Sequence, residues 1–392
     1  MTDTKDRQTR FLMILNHIDW FWSHRLPLAD AILKRDWELH LATHSADEDP
    51  KLKKMGVIGH GLPKMGRSIN PISQLIQIRA MIKLVKETQP DIIHAITLRT
   101  AFYVGLATRL IGYKPVTFTV AGLGSLYTAP GLKMKMLRLL ALPLIKFAFG
   151  GKGKFIIFQN PDDRNAMLQA GIVKEDRTTI IRGSGVDLKE FPYTPYEETD
   201  EEPIILFTSR LMREKGITDF IAAARILKEE GIKARFQVAG NVYPDNARSI
   251  SKAEMDAAHA EGAIEWLGQC SDMPDLLTRC MMVVLPSYYG EGVPKVLLET
   301  ASIGRPIITC DAPGCREAVE HEVNGELVLP QCPTDLALAI KKLIEDPERR
   351  HCYGAAGRRR MEEDFHVDSV VSRTMDVYDQ LLAEDRAEKE EI

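Results

Sequence analysis

Two glutamates eight residues apart, Glu291 and Glu299, are the pair whose spacing best fits a chemical role. Glu291 follows a short apolar run, 281–285, which predicts a strand buried on both faces. Pro294 predicts the first position of a helix that ends at Gly304. This strand, loop and helix place Glu291 at the rim of a helix N-terminus and Glu299 about a turn and a half inside the helix.

The start of this helix predicts an anion site. Backbone N–H groups near Val293, Lys295 and Val296 have no partner within the helix, and the helix dipole favours phosphate there. A carboxylate accepts hydrogen bonds from pairs of hydroxyls, so two glutamates beside a phosphate cradle fit a sugar attached to a nucleotide. Taken singly, Glu291 also fits an ordinary loop carboxylate and Glu299 a solvated helix residue.

Composition narrows the class of protein. The 392 residues are enough for two domains with separate cores, and 45 % hydrophobic with 27 % charged residues is ordinary for a globular protein. A net charge of −4 argues against a nucleic-acid partner. The N-terminal apolar run FLMIL is too short for a signal peptide core and no run approaches a membrane-spanning length, so we expect a cytoplasmic location. The six cysteines lack CxxC spacing, which predicts free thiols and no metal site.

Strands alternate with helical segments along the chain, which predicts an α/β protein with parallel sheets covered on both faces. The acidic run at 193–203 predicts a linker between a first domain, 1–192, and a second, 204–365. Within 366–392, residues 368–382 predict an amphipathic helix, and the final AEDRAEKEEI is expected to fray. The predicted strands of the first domain are 11–15, 39–43, 91–94, 116–120 and 155–158, and a helix is predicted at 71–88.

The segments EGVPKVLLE, GRPIIT and SRLMREKG together resemble the large family 4 of retaining nucleotide-sugar glycosyltransferases. This resemblance covers almost the whole chain. It implies the GT-B fold, in which two Rossmann-like domains with parallel sheets face each other across a cleft, with the C-terminal helix crossing back to the first domain. The segments GLGSLYTAPG, IIRGSGVDLKEF and LPSYYGEGVPKVLLE resemble the branch that extends polyprenyl-diphosphate-linked saccharides, including bacterial N-acetylgalactosaminyltransferases and O-antigen or capsule enzymes.

The resemblance assigns roles to the donor-binding residues. It implies that Glu291 meets the donor sugar and Glu299 the ribose. Arg210 and Lys215, five residues apart, match the family's diphosphate-binding pair, although a solvated charge pair is the alternative for either alone. His94 matches a histidine that approaches the donor sugar, although a lone histidine is more often structural. The further donor contacts that the resemblance implies are Gly240, Leu267, Gly292, Val293 and Pro294.

The acceptor side departs from the family pattern. Many relatives carry a glycine pair in the first loop, where this chain has HIDWFWSHR. His24 and Arg25 fit either acceptor-phosphate ligands or surface charges. Gly122 and Gly124 let backbone N–H groups approach an anion, or form a plain turn.

Residues 132–154 combine a nearly all-apolar helix with basic residues at its ends. The segment is too short to span a bilayer, and such a helix can lie in the interface and bind anionic lipid. A core helix with solvated lysines is the alternative. Pro143 and six cations favour peripheral binding to a membrane surface.

These features predict a glycosyltransferase that moves a hexose or N-acetylhexosamine from a UDP-sugar to a polyprenyl-diphosphate-linked acceptor, at the cytoplasmic face of the cell membrane. Retention at the anomeric carbon follows from the resemblance, and no metal or other cofactor is expected. Two alternatives remain: a UDP-sugar epimerase of similar two-domain build, and a catalytically silent membrane-bound sugar-binding partner.

Overall fold

The computed structural model describes residues 7–65, 70–123 and 132–391, except for the side chains of 132–135 and 137–140. Within this part of the chain there are two compact α/β units. The first contains the chain up to Ile181 and again from Val370, and the second is Arg182–Ser369.

The first unit is built on a seven-stranded parallel sheet in the order β3-β2-β1-β4-β5-β6-β7. Apolar, β-branched and aromatic residues dominate its central strands, as expected for strands covered on both faces. The strands are β1 (Arg10–Ile14), β2 (Glu38–Thr43), β3 (Ile58–Gly61), β4 (Ile92–Ile96), β5 (Val116–Val120), β6 (Lys154–Phe158) and β7 (Thr178–Ile180).

Helices cover both faces of this sheet. Alternate residues of β1 enter different cores: Phe11 and Met13 pack on one face, and Leu12 and Ile14 on the other. The helices are α1 (Ile18–His24), α2 (Leu26–Lys34), α3 (Pro50–Lys54), α4 (Pro71–Thr88), α5 (Leu98–Leu110), α6 (Leu132–Phe149) and α7 (Pro161–Gln169).

The second unit has a six-stranded parallel sheet in the order β10-β9-β8-β11-β12-β13. Its strands are β8 (Ile204–Thr208), β9 (Arg235–Ala239), β10 (Glu265–Gly268), β11 (Met282–Leu285), β12 (Ile307–Cys310) and β13 (Gly325–Val328). Its helices are α8 (Ile217–Glu229), α9 (Lys252–Ala260), α10 (Met273–Arg279), α11 (Lys295–Ile303), α12 (Cys315–Ala318), α13 (Pro333–Glu345) and α14 (Pro347–Asp364), and the last helix of the chain is α15 (Val367–Glu390).

The strand orders identify where each unit is built to bind a ligand. In a doubly wound sheet the chain reverses direction across the sheet at one point, and ligands bind beyond the carboxyl ends of the strands there. That point lies between β1 and β4 in the first unit and between β8 and β11 in the second. Functional side chains are therefore expected on the loops that follow these four strands.

The boundary between the units differs from the predicted linker at 193–203. The division falls between Ile181 and Arg182, and residues of α15 from Val370 onward group with the first unit. Phe191 is buried in the core of the second unit, and the backbone N–H of Thr194 donates to the carbonyl of Ile303 at 2.9 Å. The segment from Arg182 therefore packs on the second unit before the acidic run begins.

Candidate active site

An ion pair between Lys215 and Glu291 joins the loops that follow β8 and β11. The Lys215 ammonium donates to both carboxylate oxygens of Glu291. Ser287 Oγ donates to Oε1 of the same carboxylate at 2.9 Å. Lys215 and Ser287 are buried, so the pair is shielded from water. A lysine ammonium has three N–H donors, which leaves one for a further anion.

Backbone contacts hold the two loops together. The carbonyl of Glu214 accepts hydrogen bonds from the backbone N–H of Tyr288 at 3.1 Å and from Ser287 Oγ at 3.4 Å. Gly216 has φ +83°, and a Cβ at this position would lie 2.3 Å from the carbonyl oxygen of Pro286. Any other residue at 216 would push the loops apart and separate the ion pair.

The start of α11 lies beside this pair. Pro294 is the residue before the helix, with φ −62° and ψ 122°, so it precedes the first helical position instead of filling it as predicted. Pro294 makes no side-chain capping hydrogen bond, so the first N–H groups of α11 keep the capacity to bind an anion. The loop after β12 braces Gly292: a Cβ on Gly314 would lie 2.1 Å from the Gly292 carbonyl oxygen. Val293, in the same loop, is buried.

Glu299 is a buried carboxylate on α11, not a solvated helix residue. Its Oε1 lies 3.1 Å from Nζ of Lys295, one turn earlier. Burial raises the pKa of Glu299, and the Lys295 charge opposes that rise. A buried carboxylate with one cationic neighbour, such as Glu299, is typical of a ligand-binding residue or of a structural ion pair.

Arg210 lies after β8 but does not join the Lys215–Glu291 pair. Its side chain is exposed and makes no ion pair with any described residue. Lys215 and Arg210, the two cations predicted to reach one diphosphate, therefore lie in different environments. Lys215 already pairs with a carboxylate, whereas Arg210 is exposed to solvent.

Gly240 and Leu267 lie at the same edge of the sheet, at the ends of β9 and β10. Gly240 has φ +144°, and a Cβ there would lie 2.0 Å from the carbonyl oxygen of Ser209. The indole N–H of Trp266 donates to the Gly240 carbonyl at 2.9 Å. Leu267 is 40 % exposed, as an edge-strand position allows, and it leaves an apolar surface at this end of β10.

Three residues of this site were missed by sequence reasoning. Gly314 and Cys315 brace the Glu291 loop, with Cys315 Sγ 3.7 Å from the Ser287 carbonyl oxygen. Burial raises the pKa of the Cys315 thiol to about 12, so it stays neutral. Arg248 is in the segment GNVYPDNARSIS, which the sequence predicts to be a loop near the acceptor, and it contacts the Lys215 loop through Glu214. The segment CDAPGCREAV predicts a helix start facing the cleft, but nothing in it indicates contact with the Glu291 loop.

His94 does not open at a strand end as predicted. It lies inside β4, fully buried, because the strand continues through Ile96. Nδ1 lies 2.6 Å from the Tyr378 hydroxyl and Nε2 lies 2.7 Å from Oγ1 of Thr119. Burial lowers the pKa of His94 well below its usual value, with a further contribution from the Arg25 charge. Both ring nitrogens are used inside the first unit, so the geometry fits a structural histidine.

The first connection of the chain is helical where a loop was predicted. His24 ends α1, half-buried, with Nδ1 2.6 Å from Ser23 Oγ. Arg25 lies between α1 and α2 and is 9 % exposed, so it is not a surface charge. Phe21 packs in the core and Trp22 donates its indole N–H to Asp49 at 3.0 Å.

The carboxyl ends of β1 and β4 bring together polar residues that the sequence did not single out. Thr100 donates to the side-chain oxygen of Asn16, and Thr97 Oγ1 lies 3.2 Å from Thr100 Oγ1. Thr97 has φ +86° and ψ 148°, a strained conformation for a β-branched residue and one that clusters at functional sites. Gly122, after β5, has φ +97°. Gly124 lies outside the described residues.

The basic apolar segment 132–154 is partly described. It forms α6, and three of its described apolar side chains are exposed: Met136 at 59 %, Leu144 at 49 % and Phe147 at 42 %. Their spacing of eight and three residues puts them on one face of the helix. Among the described residues no helix has both the length and the apolar character needed to cross a membrane.

One cluster of the described residues has metal-ligand chemistry, His321, Glu322 and Glu326. Glu326 already accepts a hydrogen bond from Tyr353 at 2.9 Å and pairs with Lys342 at 2.8 Å. These protein partners neutralise its charge, so the arrangement needs no ion. All six cysteines are free thiols.

Two doubly wound parallel-sheet units, each with polar side chains beyond its strand reversal point, form the architecture of the GT-B class of proteins. A model described as glycosyl transferase 4-like matches residues 13–160, and the model of the glycosyl transferases group 1 matches residues 194–360. The chain belongs to the glycosyl transferases group 1, and it is a glycosyltransferase.

Curated relatives align along most of the chain. An N,N'-diacetylbacillosaminyl-diphospho-undecaprenol alpha-1,3-N-acetylgalactosaminyltransferase of Campylobacter jejuni is 27 % identical over 91 % of this chain and 95 % of the relative. The capsular polysaccharide biosynthesis glycosyltransferase CapM of Staphylococcus aureus is 24 % identical over 90 % and 92 %. A UDP-Gal:alpha-D-GlcNAc-diphosphoundecaprenol alpha-1,3-galactosyltransferase of Escherichia coli is 24 % identical over 81 % and 82 %.

Solved structures support the fold. Sucrose-phosphate synthase from Thermosynechococcus elongatus superposes with a TM-score of 0.79 at 21 % identity, covering 96 % of this chain and 100 % of the other. Anabaena HepE in complex with UDP and glucose superposes with a TM-score of 0.74 at 19 % identity, covering 95 % of this chain and 100 % of HepE.

Proposed function

We propose that this glycosyltransferase moves a hexose or N-acetylhexosamine from a UDP-sugar to a polyprenyl-diphosphate-linked saccharide, with retention at the anomeric carbon. The observation that supports this most directly is the buried Lys215–Glu291 pair beside the uncapped start of α11. The printed activities of the Campylobacter and Escherichia relatives supply the acceptor class.

In the donor site, the start of α11, Arg210 and the free donor of Lys215 hold the diphosphate. In this proposal the three positive groups stabilise a negative charge that grows as the sugar leaves. Glu291, fixed by Lys215 and Ser287, accepts hydrogen bonds from the donor sugar, and buried Glu299 accepts from the ribose hydroxyls.

The reaction follows from this arrangement. The bond between the anomeric carbon and the diphosphate oxygen breaks, and its electron pair leaves with UDP. The acceptor hydroxyl oxygen forms the new bond on the same face, and its proton passes to the departing phosphate oxygen. Cations that hold the leaving UDP on that face give retention without a covalent sugar–enzyme intermediate, unlike glycosidases with two flanking carboxylates.

The acceptor is a lipid, so the enzyme must reach a membrane, which we propose is the cytoplasmic face of the cell membrane. The exposed face of α6 with Met136, Leu144 and Phe147 fits an interfacial helix, and Lys146 beside it is also exposed. A second helix of the first unit has similar chemistry. On α4, Ile72, Leu75 and Ile76 are exposed, and the exposed cations Arg79 and Lys83 continue the same face.

The test of the reaction is UDP release from a panel of UDP-hexoses and UDP-N-acetylhexosamines, with and without polyprenyl-diphosphate saccharides. We expect acceptor-dependent release from one donor, lost in Lys215→Ala and Glu291→Ala. Lys341→Ala is the matched control, because Lys341 forms an exposed ion pair with Glu230 elsewhere in the second unit.

The alternatives give different products. An isomerised UDP-sugar formed without acceptor would identify an epimerase, and donor binding without turnover of any pair would identify a silent sugar-binding protein. Activity that survives both substitutions would contradict the proposed site.

Membrane binding is tested by co-sedimentation with vesicles of phosphatidylglycerol and of phosphatidylcholine. Replacing Leu144 and Phe147 together by serine is expected to reduce binding to the anionic vesicles several-fold. The control is Leu338→Ser, because Leu338, at 63 %, is even more exposed than Leu144 and Phe147 but lies on a helix of the second unit. Equal binding of the α6 variant and the control would contradict this surface.

A further inference from the structure

Arg25 is a buried cation without an acidic partner in the described part of the chain. It is 9 % exposed, and its backbone is fixed by bonds of 2.9 Å from its N–H to the Phe21 carbonyl and from the Ala29 N–H to its own carbonyl. Its guanidinium makes no hydrogen bond or ion pair with any described residue. Other deeply buried arginines of this protein have such partners: Arg305 and Arg350 each donate to several carbonyls.

An unpaired buried guanidinium is costly. Taking a charge out of water costs several kcal/mol unless an opposite charge or hydrogen bonds replace the lost hydration. The titratable groups that face Arg25 are His94 from β4 and Tyr378 from α15, and both are neutral: burial lowers the pKa of the first and raises that of the second. Neither compensates the charge, and arginine does not discard its proton to escape the cost.

The position of Arg25 indicates where a compensating anion comes from. It lies in the connection that follows β1, at the point of the first sheet where ligands gather. The same connection starts at Asn16, whose side chain is held by Thr100, next to the strained Thr97. A preorganised polar edge and an unsatisfied cation thus occur in one region of the first unit.

We propose that Arg25 binds a phosphate oxygen of the acceptor's diphosphate. This rests on the proposed function and adds the residue that recognises the acceptor's charge. The planar guanidinium can donate two parallel hydrogen bonds to a phosphate, which a lysine cannot do. The backbone of Arg25 is fixed between α1 and α2, so the acceptor would meet a guanidinium that is already in position. Little side-chain entropy would therefore be lost on binding.

The kinetic test uses Arg25→Met, Arg25→Lys and the control Arg35→Met, the last removing an exposed arginine at the opposite end of α2. With a short-chain polyprenyl-diphosphate saccharide as acceptor, Arg25→Met is expected to raise the acceptor KM at least tenfold and to leave the UDP-sugar KM unchanged. Arg25→Lys should be intermediate, and Arg35→Met should match the wild type. A folded Arg25→Met variant with an unchanged acceptor KM would overturn the proposal.

A binding test separates this proposal from the transfer reaction itself. Inorganic pyrophosphate is titrated in the presence of saturating UDP, which occupies the donor site, with fluorescence of Trp20 and Trp22 on α1 as the signal. Wild type should saturate and Arg25→Met should not, whichever acceptor saccharide the enzyme uses. If Arg25→Met does not fold, weaker saturation of Arg25→Lys carries the same meaning, and equal saturation overturns the proposal.

The phosphate could also belong to a lipid headgroup. Vesicles of phosphatidylglycerol without acceptor distinguish this source. Binding of Arg25→Met to these vesicles should equal that of the wild type. Loss of vesicle binding with an unchanged acceptor KM would assign Arg25 to the headgroup and overturn its assignment to the acceptor.

Discussion

The guanidinium of Arg248 lies 3.0 Å from the carboxylate of Glu214, the residue before Lys215. The same guanidinium carbon lies 5.4 Å from the ring centroid of Tyr289, two residues before Glu291. Arg248 therefore contacts both loops that carry the central ion pair of the donor site. Each of these contacts fixes the position of a loop, and neither of them is made with Lys215 or Glu291.

We expect Arg248→Ala to lower kcat about tenfold, with a smaller change in the KM for UDP-sugar. The ion pair would remain but would lose its alignment, and small misplacements near reacting groups are costly in rate. Arg248→Lys keeps the charge next to Glu214 and should recover part of kcat. The control is Arg225→Ala, because Arg225 lies on α8 and forms an exposed ion pair with Glu261. A Lys variant as slow as the Ala variant would argue against a positioning role.

Lys215→Met is expected to lower kcat by about 10² to 10³, the typical effect of removing one donor that stabilises transition-state charge. The melting temperature should also fall, because the shielded carboxylate of Glu291 would lose the cation that pairs with it. Steady-state UDP release and thermal unfolding measure the two effects. If kcat is unchanged while the melting temperature falls, Lys215 is structural only.

Glu299→Gln is expected to weaken UDP binding about tenfold, the size of one hydrogen bond to a charged group. The pH dependence gives a sharper test. Because burial raises the pKa of Glu299, its carboxylate is protonated at a higher pH than an exposed glutamate. UDP affinity of the wild type should therefore fall as the pH drops through that raised pKa, whereas Glu299→Gln should lack this dependence. Calorimetric titration of UDP at several pH values measures it, and parallel curves would contradict the role.

Much of the fold could be predicted from local pattern. Strand β5 and helix α4 have the predicted bounds, because apolar β-branched residues and a proline start mark them clearly. Strand β3, Ile58–Gly61, was missed because its sequence IGHG contains two glycines and half-exposed residues. Its pairing with β2 decides its structure, and pairing is not a property of the segment alone.

The C-terminal tail was predicted to fray after residue 382 but is helical to Glu390. Contacts remote in sequence explain the difference. Arg177 pairs with Glu384 at 2.5 Å and Lys114 pairs with Glu388. A polar helix looks unstable in isolation, and its stabilising partners lie some 200 residues away in the chain.

The candidate site was predictable as a set of residue types and not as a geometry. Arg210, Lys215, Glu291 and Glu299 stand out by spacing, but nothing local indicates that Lys215 pairs with Glu291. The strand that carries His94 was predicted to end at residue 94, but β4 continues through Ile96 because it pairs with β5. Arg25 was weighed as a surface charge because burial beneath other elements is invisible in the sequence.

Lys154 allows a prediction about stability at alkaline pH. Its buried ammonium donates to the carbonyls of Ala148 at 2.6 Å and Gly105 at 3.1 Å, which ties the end of α6 to α5. Burial, and then the nearby charge of Arg109, lowers the pKa of Lys154 to about 7, against 10.5 in the unfolded chain. Between these values the unfolded chain holds a proton that the folded unit does not.

The free energy of unfolding should therefore rise as the pH increases above 7, and Lys154 contributes at most about 1.4 kcal/mol per pH unit to this rise. Lys154→Met lacks the proton and should lose this slope, while Lys152→Met, which replaces an exposed lysine in the same segment, should keep it. Urea unfolding of the three proteins between pH 7 and about pH 9.5 measures the free energy of unfolding directly. Parallel curves for wild type and Lys154→Met would mean that Lys154 stays charged in the folded protein, held by the two carbonyls.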